Sequence, residues 1–390
     1  MSRSHKSVSE HCLRGHEARK FPCAHPAASE GFSLVELMVG ILVSLIGILA
    51  IMAAFSVYEG KKRTTTSGDD AQQNGSFALY DLERQVRSAG SGLVQGKNYS
   101  VWGCPITALT FAAMPAPFNN TALKLPATTQ AVPVLIAAGG TSPDVISVVG
   151  GNPSQQVFKI GVTSAPTGGA VVVGNSFGIL PNDYLLGTLA NGTCQLGQAV
   201  TVTTASNSFT VAAATTTVTG LANSVNLFDL GPGPVFTLFG VDPTSNSLVS
   251  FDQLQRTANG GIGTLPIADG IVQMKALYGI HDGTGPTGES VYAVDKWVQP
   301  VGTTWGIGAL TASATAAAAA ATQIVAIRVA VVAQSRLPER ASDYTGPATL
   351  TLFPDLPTAD QYNIAVQTQY RYKIYDTTIP IRNAMIVQYY

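Results

Sequence analysis

One acid stands at the edge of an otherwise apolar run. Glu36 lies near the start of GFSLVELMVGILVSLIGILAIMAAF, residues Gly31 to Phe55, and from Leu37 to Tyr58 no residue is charged. An acid at membrane depth is costly, about 2.5–3.5 kcal/mol for Asp at a helix centre on insertion scales, so one that is kept there marks a function. The chemistry open to it is electrostatic: a carboxylate removed from water needs a cation beside it.

The remaining inventory is poor in catalytic groups. Four of the five histidines lie within Met1–Glu30, leaving His281 as the one candidate for a triad or a histidine-rich metal site. The chain has no Walker A motif and no CxxC pair, so no cofactor, metal or enzymatic activity is expected. His281-Asp282-Gly283-Thr284-Gly285 with Glu289 suggests calcium but lacks the D-x-[DN]-x-[DN]-G order, and a solvated turn is the preferred reading. Gly260-Gly261-Ile262-Gly263 reads as a hairpin turn rather than a phosphate loop, and Asn98-Tyr99-Ser100, Asn119-Asn120-Thr121 and Asn191-Gly192-Thr193 as surface loops. Cys12 and Cys23 precede Gly31, while Cys104 and Cys194 follow it. In an exported domain these two are expected to form a disulfide, two buried free thiols being the alternative.

The elements that must position these groups follow from the pattern of the chain. Phe32–Phe55, as a helix rising about 1.5 Å per residue, reaches roughly 36 Å and can span a hydrocarbon core of about 30 Å with some tilt. Basic residues before it (Arg3, Lys6, Arg14, Arg19 and Lys20) keep that end cytoplasmic. The helix should continue past Glu59, Lys61, Lys62 and Arg63 to a stop at Gly90, with Ala78, Leu79, Leu82, Val86 and Ala89 forming one apolar stripe. Thr64–Gly68 and Asn74-Gly75 are poor helix formers and predict a kink or local looseness.

Beyond Gly90, short apolar runs recur between Gly, Pro, Asn and Ser, the signature of strands. Those expected are Val145–Val149, Gln156–Ile160, Ala170–Val173, Ala199–Thr203, Ser208–Val211, Val235–Phe239, Ser247–Phe251 and Val272–Tyr278. Ile324–Val332 alternates cleanly and should pack on the N-terminal helix. Ala316–Ala321 reads as a short helix, Phe111–Ala138 as a long loop or insertion, and Arg371–Tyr375 with Thr378–Ile381 as a closing strand pair. Charged residues make up only 12% of the chain, against about 25% in an average domain. Removing Met1–Gly31 takes five of the 22 basic and three of the 23 acidic side chains, leaving a net charge near −3. That is no footprint for general nucleic-acid binding.

The order of residues around the apolar run points to a family. A secretory signal would place its small residues after the apolar core. GFSLVELMVG instead closely resembles the class III signal of type IV prepilins and type II secretion pseudopilins. The resemblance implies cleavage by a prepilin peptidase between Gly31 and Phe32, methylation of the new amine on Phe32, and a subunit-assembly role for Glu36 as the fifth mature residue. Glu36 would then meet the Phe32 amine of its own or a neighbouring subunit. The leader is long, and Glu30 stands where a basic residue often precedes the glycine.

DYLLGTLANGTCQLGQAVTVT around Cys194, GIVQMKALYGIHDGTG from Gly270, QIVAIRVAVVAQSRLPER and YKIYDTTIPIRN resemble the PilW group of minor pilins. The resemblance implies an α+β, pilin-like fold: a long N-terminal helix, its hydrophobic half membrane-spanning, packed on a large antiparallel β-rich domain. The organisation expected is a leader at 1–31, a membrane and filament-core helix at 32–58, a periplasmic half-helix at 59–90 and a β-rich domain at 91–390. It also implies an inner-membrane subunit that helps to start pilus assembly and sits near the filament tip at the cell surface. Its partners would be other minor pilins, the major pilin, the prepilin peptidase, the inner-membrane assembly platform, membrane lipid before assembly, and a tip adhesin. A type II secretion pseudopilin, or a membrane-tethered adhesin or binding module, are the alternative functions.

Overall fold

The computed structural model describes residues 32–93, 101–110, 114–126, 128–154, 159–167, 170–215, 217–255, 263–286, 290, 292–341 and 344–384. The chain divides into two compact units, Met1–Lys61 and Lys62–Tyr390. One helix, α1 (Leu34–Ser88), contributes to both. In the first unit it is the apolar segment, and every large apolar side chain from Phe32 to Tyr58 is exposed.

In the second unit α1 is amphipathic. Ala71, Ala78, Leu79, Leu82, Val86 and Ala89 are buried in the main core, the face that three- and four-residue spacing dictates. Each buried Leu or Val contributes about 1.5–3 kcal/mol by leaving water. On the wet face Arg84 pairs with Asp81 at 3.1 Å, and Arg87 with Glu83. Helix α1 runs on through the poor helix formers at 64–68 and 74–75 to Ser88. Two of the poor helix formers serve tertiary contacts. Ser67 Oγ accepts a hydrogen bond from the Arg336 N–H at 2.9 Å. Gly75 lies so close to Tyr375 that a Cβ there would stand 2.4 Å from the ring.

The helix ends as expected at Gly90, whose φ of 79° suits glycine. The Gly90 N–H donates to Val149 O at 2.8 Å. Asn383 Nδ2 donates to Ala89 O at 2.8 Å and Ser88 O at 3.4 Å, so a side chain from the far end of the chain satisfies the last helical carbonyls.

The strands follow in chain order. First come β1 (Pro105–Thr110), β2 (Thr128–Gln130), β3 (Val134–Ala137) and β4 (Val145–Gly150). Next are β5 (Ile160–Thr167), β6 (Ala170–Val173), β7 (Tyr184–Leu189), β8 (Cys194–Thr203), β9 (Ser208–Val211) and β10 (Ser224–Gly231). Then β11 (Val235–Asp242), β12 (Ser247–Asp252), β13 (Leu265–Asp269), β14 (Ile271–Ile280) and β15 (Lys296–Val298) precede the helix α2 (Ala314–Gln323). The last four are β16 (Ile324–Gln334), β17 (Thr349–Leu352), β18 (Tyr362–Ala365) and β19 (Tyr372–Pro380).

Two sheets enclose the main core with α1: β13-β12-β11-β4-β3 and β15-β14-β16-β19. Along β16, Ile327, Val329, Val331 and Ala333 enter this core. Ala330 and Val332 face a second one, under the β17–β18 hairpin, with Leu352 and Phe353. Both faces of the strand are therefore dry.

The third assembly is a closed barrel that the sequence pattern did not predict. β5, β6, β9, β8, β7 and β10 pair antiparallel in that order, and β10 returns to β5. Its own core includes Val171, Val173, Leu185, Phe209 and Leu227. Closure removes the sheet's open edges. The barrel lies between β4 and β11, which pair directly with each other through Gly150 and Val235, so the sheet runs on without it.

Two expectations need correction, and a third lies largely outside the described residues. The 111–138 stretch is not one loop: β2 pairs with β1, β3 with β4, and Asn120 caps a 3-10 turn at Thr121–Leu123. Its strands are too short for an alternation to stand out. The closing pair Arg371–Tyr375 and Thr378–Ile381 is one strand, β19: Asp376 and Thr377 stay in the ladder opposite Ala330 and Val329, and the Asp376 carboxylate pairs diagonally with Arg328 of β16 at 2.5 Å. The Gln156–Ile160 strand falls largely outside the described residues, with β5 beginning at Ile160.

Candidate assembly helix and its seat

Glu36 sits in the first turn of α1, and both Glu36 and Phe32 are exposed. Gly31, the other half of the expected cleavage site, lies outside the described residues. The surface around Glu36 is unlike that of a soluble helix. An 18-residue window reaches a mean hydropathy of 2.7 with no burial, long and apolar enough to cross a membrane. A contiguous apolar surface of this kind marks contact with lipid or with other proteins.

Cys104 and Cys194 are joined in a disulfide with a Cα–Cα distance of 5.8 Å. It fastens the barrel strand β8 to the segment leading into β1, beside the parallel pairing of Ile106 with Cys194.

The seat of the helix is held by residues that strand patterning alone did not mark. Lys275, on β14, is 0% exposed. Its Nζ donates to Gly140 O at 2.8 Å, Ser142 O at 2.7 Å and Asp144 Oδ1 at 2.8 Å, using all three donors of an ammonium group. Asp144 accepts in turn from Gly139 N–H at 2.9 Å and Ala276 N–H at 3.1 Å. The Asp144 N–H donates to Met274 O at 2.9 Å. The short strand β15 pairs with β14 only at Tyr278–Ile280, and Asp144 occupies the edge of β14 beyond it. The turn between β3 and β4 is thereby bound to the sheet that carries the helix.

Tyr278, also fully buried, accepts from Ile136 N–H at 2.6 Å and joins the same two sheets. Burial pushes its phenol well above the ordinary range. A lone Lys or Tyr in a strand reads from sequence as a wet-face residue, and only the pairing of distant segments reveals these two.

The other candidate groups are occupied structurally. Asp282 pairs with Lys296 at 2.5 Å and accepts from Thr284. Asp295 takes the N–H groups of Asp282 and Gly283, with His281 Nδ1 at 3.2 Å. Glu289 lies outside the described residues, as do Asn98-Tyr99-Ser100 and Gly260-Gly261-Ile262. Asn191 turns the β7–β8 connection, accepting from Thr193 N–H at 3.0 Å.

Two segments have the spacing of catalytic signatures without their setting. Gly174-Asn175-Ser176-Phe177-Gly178 matches G-x-S-x-G, but Ser176 is buried, its hydroxyl donates to Asn207 Oδ1 at 3.4 Å, and a turn follows in place of a helix. Gly283–Gly288 has dinucleotide-loop spacing, yet the described residues that follow it, 290 and 292–295, form no helix and lead into β15. Among the described residues no group of three or more His, Cys, Asp or Glu is placed to hold a metal ion.

Comparison with known proteins gives two matches. Residues 241–383 match the family model described as Type IV Pilus-assembly protein W. That span contains the Gly270, Gln323 and Tyr372 blocks, while the block around Cys194 lies outside it. A solved type IV-like pilin from Thermus thermophilus is 11% identical, over 53% of this chain and 85% of that one, with a TM-score of 0.21. An overlap that loose says nothing of the fold. No curated protein sequence matches the chain. Over residues 241–383, the part that holds β14, β16 and β19, this chain is similar to the type IV pilus-assembly W family.

Proposed function

We propose that the chain is a minor pilin that primes type IV pilus assembly and enters the filament near its tip, with no enzymatic activity of its own. The single observation that carries this is the exposed apolar half of α1 with one acid, Glu36, five residues after Gly31. In this reading the prepilin peptidase cuts between Gly31 and Phe32 at the cytoplasmic face of the inner membrane, and the amine of Phe32 is methylated. The β-rich unit stands in the periplasm, an oxidising compartment that suits the Cys104–Cys194 disulfide. During assembly the helix leaves lipid for a bundle of similar helices contributed by the major pilin and other minor pilins. Glu36 then pairs with a Phe32 amine, which lowers the cost of removing both charges from water. The assembly platform and a tip adhesin complete the partners.

Mass spectrometry of the mature amino terminus tests the processing step: N-methyl-Phe32 is expected, and an intact leader would refute it. Deletion of the coding sequence is expected to abolish surface pili. Intact pili with lost enzyme secretion would assign the chain to the type II secretion machine instead.

A further inference from the structure

The barrel interior holds two acids where its pattern calls for apolar side chains. Along β10, Leu227 enters the barrel core while Phe228 and Leu230 face the main core, so Asp229 shares the inward face with Leu227. Along β7, Leu185 is inward and Tyr184 packs on the main core, which turns Asp183 inward too. Asp229 stands opposite Leu185 in the ladder, and Asp183 is two residues along on that same face, within diagonal reach. Asp183 is 1% exposed and Asp229 2% exposed.

Each carboxylate has one oxygen held and one bare. Asp183 Oδ2 accepts from Leu180 N–H at 2.6 Å, and Asp229 Oδ1 accepts from Gly231 N–H at 2.8 Å. Among the described residues, Asp183 Oδ1 and Asp229 Oδ2 are buried with no hydrogen-bond partner. Two buried anions facing one another without a cation are unstable. The other groups on the surrounding elements do not neutralise them. β5, β6, β8 and β9 carry no ionisable side chain apart from the disulfide-bonded Cys194. Tyr184 faces the other core, and Lys159, at the foot of β5, is exposed.

We propose that Asp183 and Asp229 form a proton-dependent latch: near neutral pH the pair retains one proton, and releasing that proton to solvent loosens the end of the barrel at which both of its connections to the sheet enter. β10 ends there at Gly231, beside Asn152, whose N–H donates to Leu230 O at 2.8 Å. The electrostatics agree in sign. Burial first, and then repulsion from Asp183, push the Asp229 carboxyl up to about 7 against the opposing pull of the Gly231 N–H. Burial raises Asp183 as well. In an unfolded chain Asp titrates at about 3.9. The folded barrel therefore holds its proton more tightly than the unfolded chain. That stabilisation is complete below about pH 4 and is lost as pH rises through about 7.

Hydrogen exchange on the full chain in detergent, read as protection factors so that intrinsic pH dependence cancels, tests the latch between pH 5 and 8. Protection of 183–187 and 227–231 is expected to fall by up to about tenfold per pH unit as pH approaches 7, while α1 and β16 stay unchanged. Asp229→Asn should flatten that dependence, and Asp183→Asn should move its midpoint down. Infrared difference spectra should show a protonated carboxyl at pH 6 that Asp229→Asn removes, a readout that does not depend on barrel opening. Protection that is independent of pH, or an unchanged pH dependence in Asp229→Asn, would overturn the proposal. Recovery of protection at pH 8 on adding calcium alone would also overturn it, assigning the pair to a cation instead.

Discussion

Replacing Lys275 by Met tests how the helix seat is held together. The two side chains are close in length, so the change leaves little cavity and isolates the charge. It removes three hydrogen bonds, to Gly140 O, Ser142 O and Asp144 Oδ1. Asp144 is left as a fully buried carboxylate with only two backbone N–H donors. Breaking a buried pair from one side costs about 3–5 kcal/mol. In a unit of this size that lowers the melting temperature by roughly 10 °C, at about 2–4 °C per kcal/mol. Lys275→Met combined with Asp144→Asn removes both charges and keeps an acceptor for one of the two N–H groups. It should recover about half of the loss, a coupling of roughly 2 kcal/mol. Urea titration of the full chain in detergent, followed by near-ultraviolet circular dichroism, gives all four corners of the cycle. A Lys275→Met variant within about 1 kcal/mol of the parent, or a double variant weaker than the single one, would refute the view that this ion pair binds the two sheets.

Three further outcomes follow from other contacts. Glu36→Ala should be exported and cleaved normally yet be depleted from sheared pili, as an immunoblot of the filament fraction would show; undiminished incorporation would remove the role given to the charge pair. Gly75→Val should destabilise by about 1–3 kcal/mol through overpacking, because its Cβ meets the Tyr375 ring, whereas Gly68→Ala, with open space around it, should gain up to about 1 kcal/mol; thermal melts that reverse this order would contradict the packing. Cys104→Ser with Cys194→Ser opens a link across a sequence separation of 90 and should lower stability by roughly 4–5 kcal/mol on loop-closure entropy, measured as the shift in urea midpoint.

What could be read from the sequence is what local periodicity encodes. The stripe from Ala78 to Ala89 and the alternation of Ile324–Val332 are visible because each is long and its core face is uniformly apolar. Gly90 showed itself as a stop through its residue type. Barrel closure was hidden, because it rests on β8 bonding to β7 and β1 with its first half and to β9 with its second. No pattern within a strand reports how many partners it will have. Lys275, Asp144 and Asn383 were equally silent: each is polar, and its meaning depends on a segment more than a hundred residues away. For Gly75 and Ser67, intrinsic propensity spoke only of weak helix formation and not of the tertiary contacts with Tyr375 and Arg336 that a small side chain permits.

The position of the barrel sets what the chain can vary. Gly150 and Val235 already face one another in the β4–β11 ladder, so the ends of the inserted segment leave the sheet at neighbouring points, as the two ends of a hairpin loop do. Whatever fills that gap changes no register beneath it. The helix seat can therefore stay fixed while the cargo carried on the β4–β11 turn grows, shrinks or is exchanged, provided that a replacement matches or releases the Cys104 disulfide, the β1–β8 pairing and the side chains that β7, β8 and β10 lend to the main core.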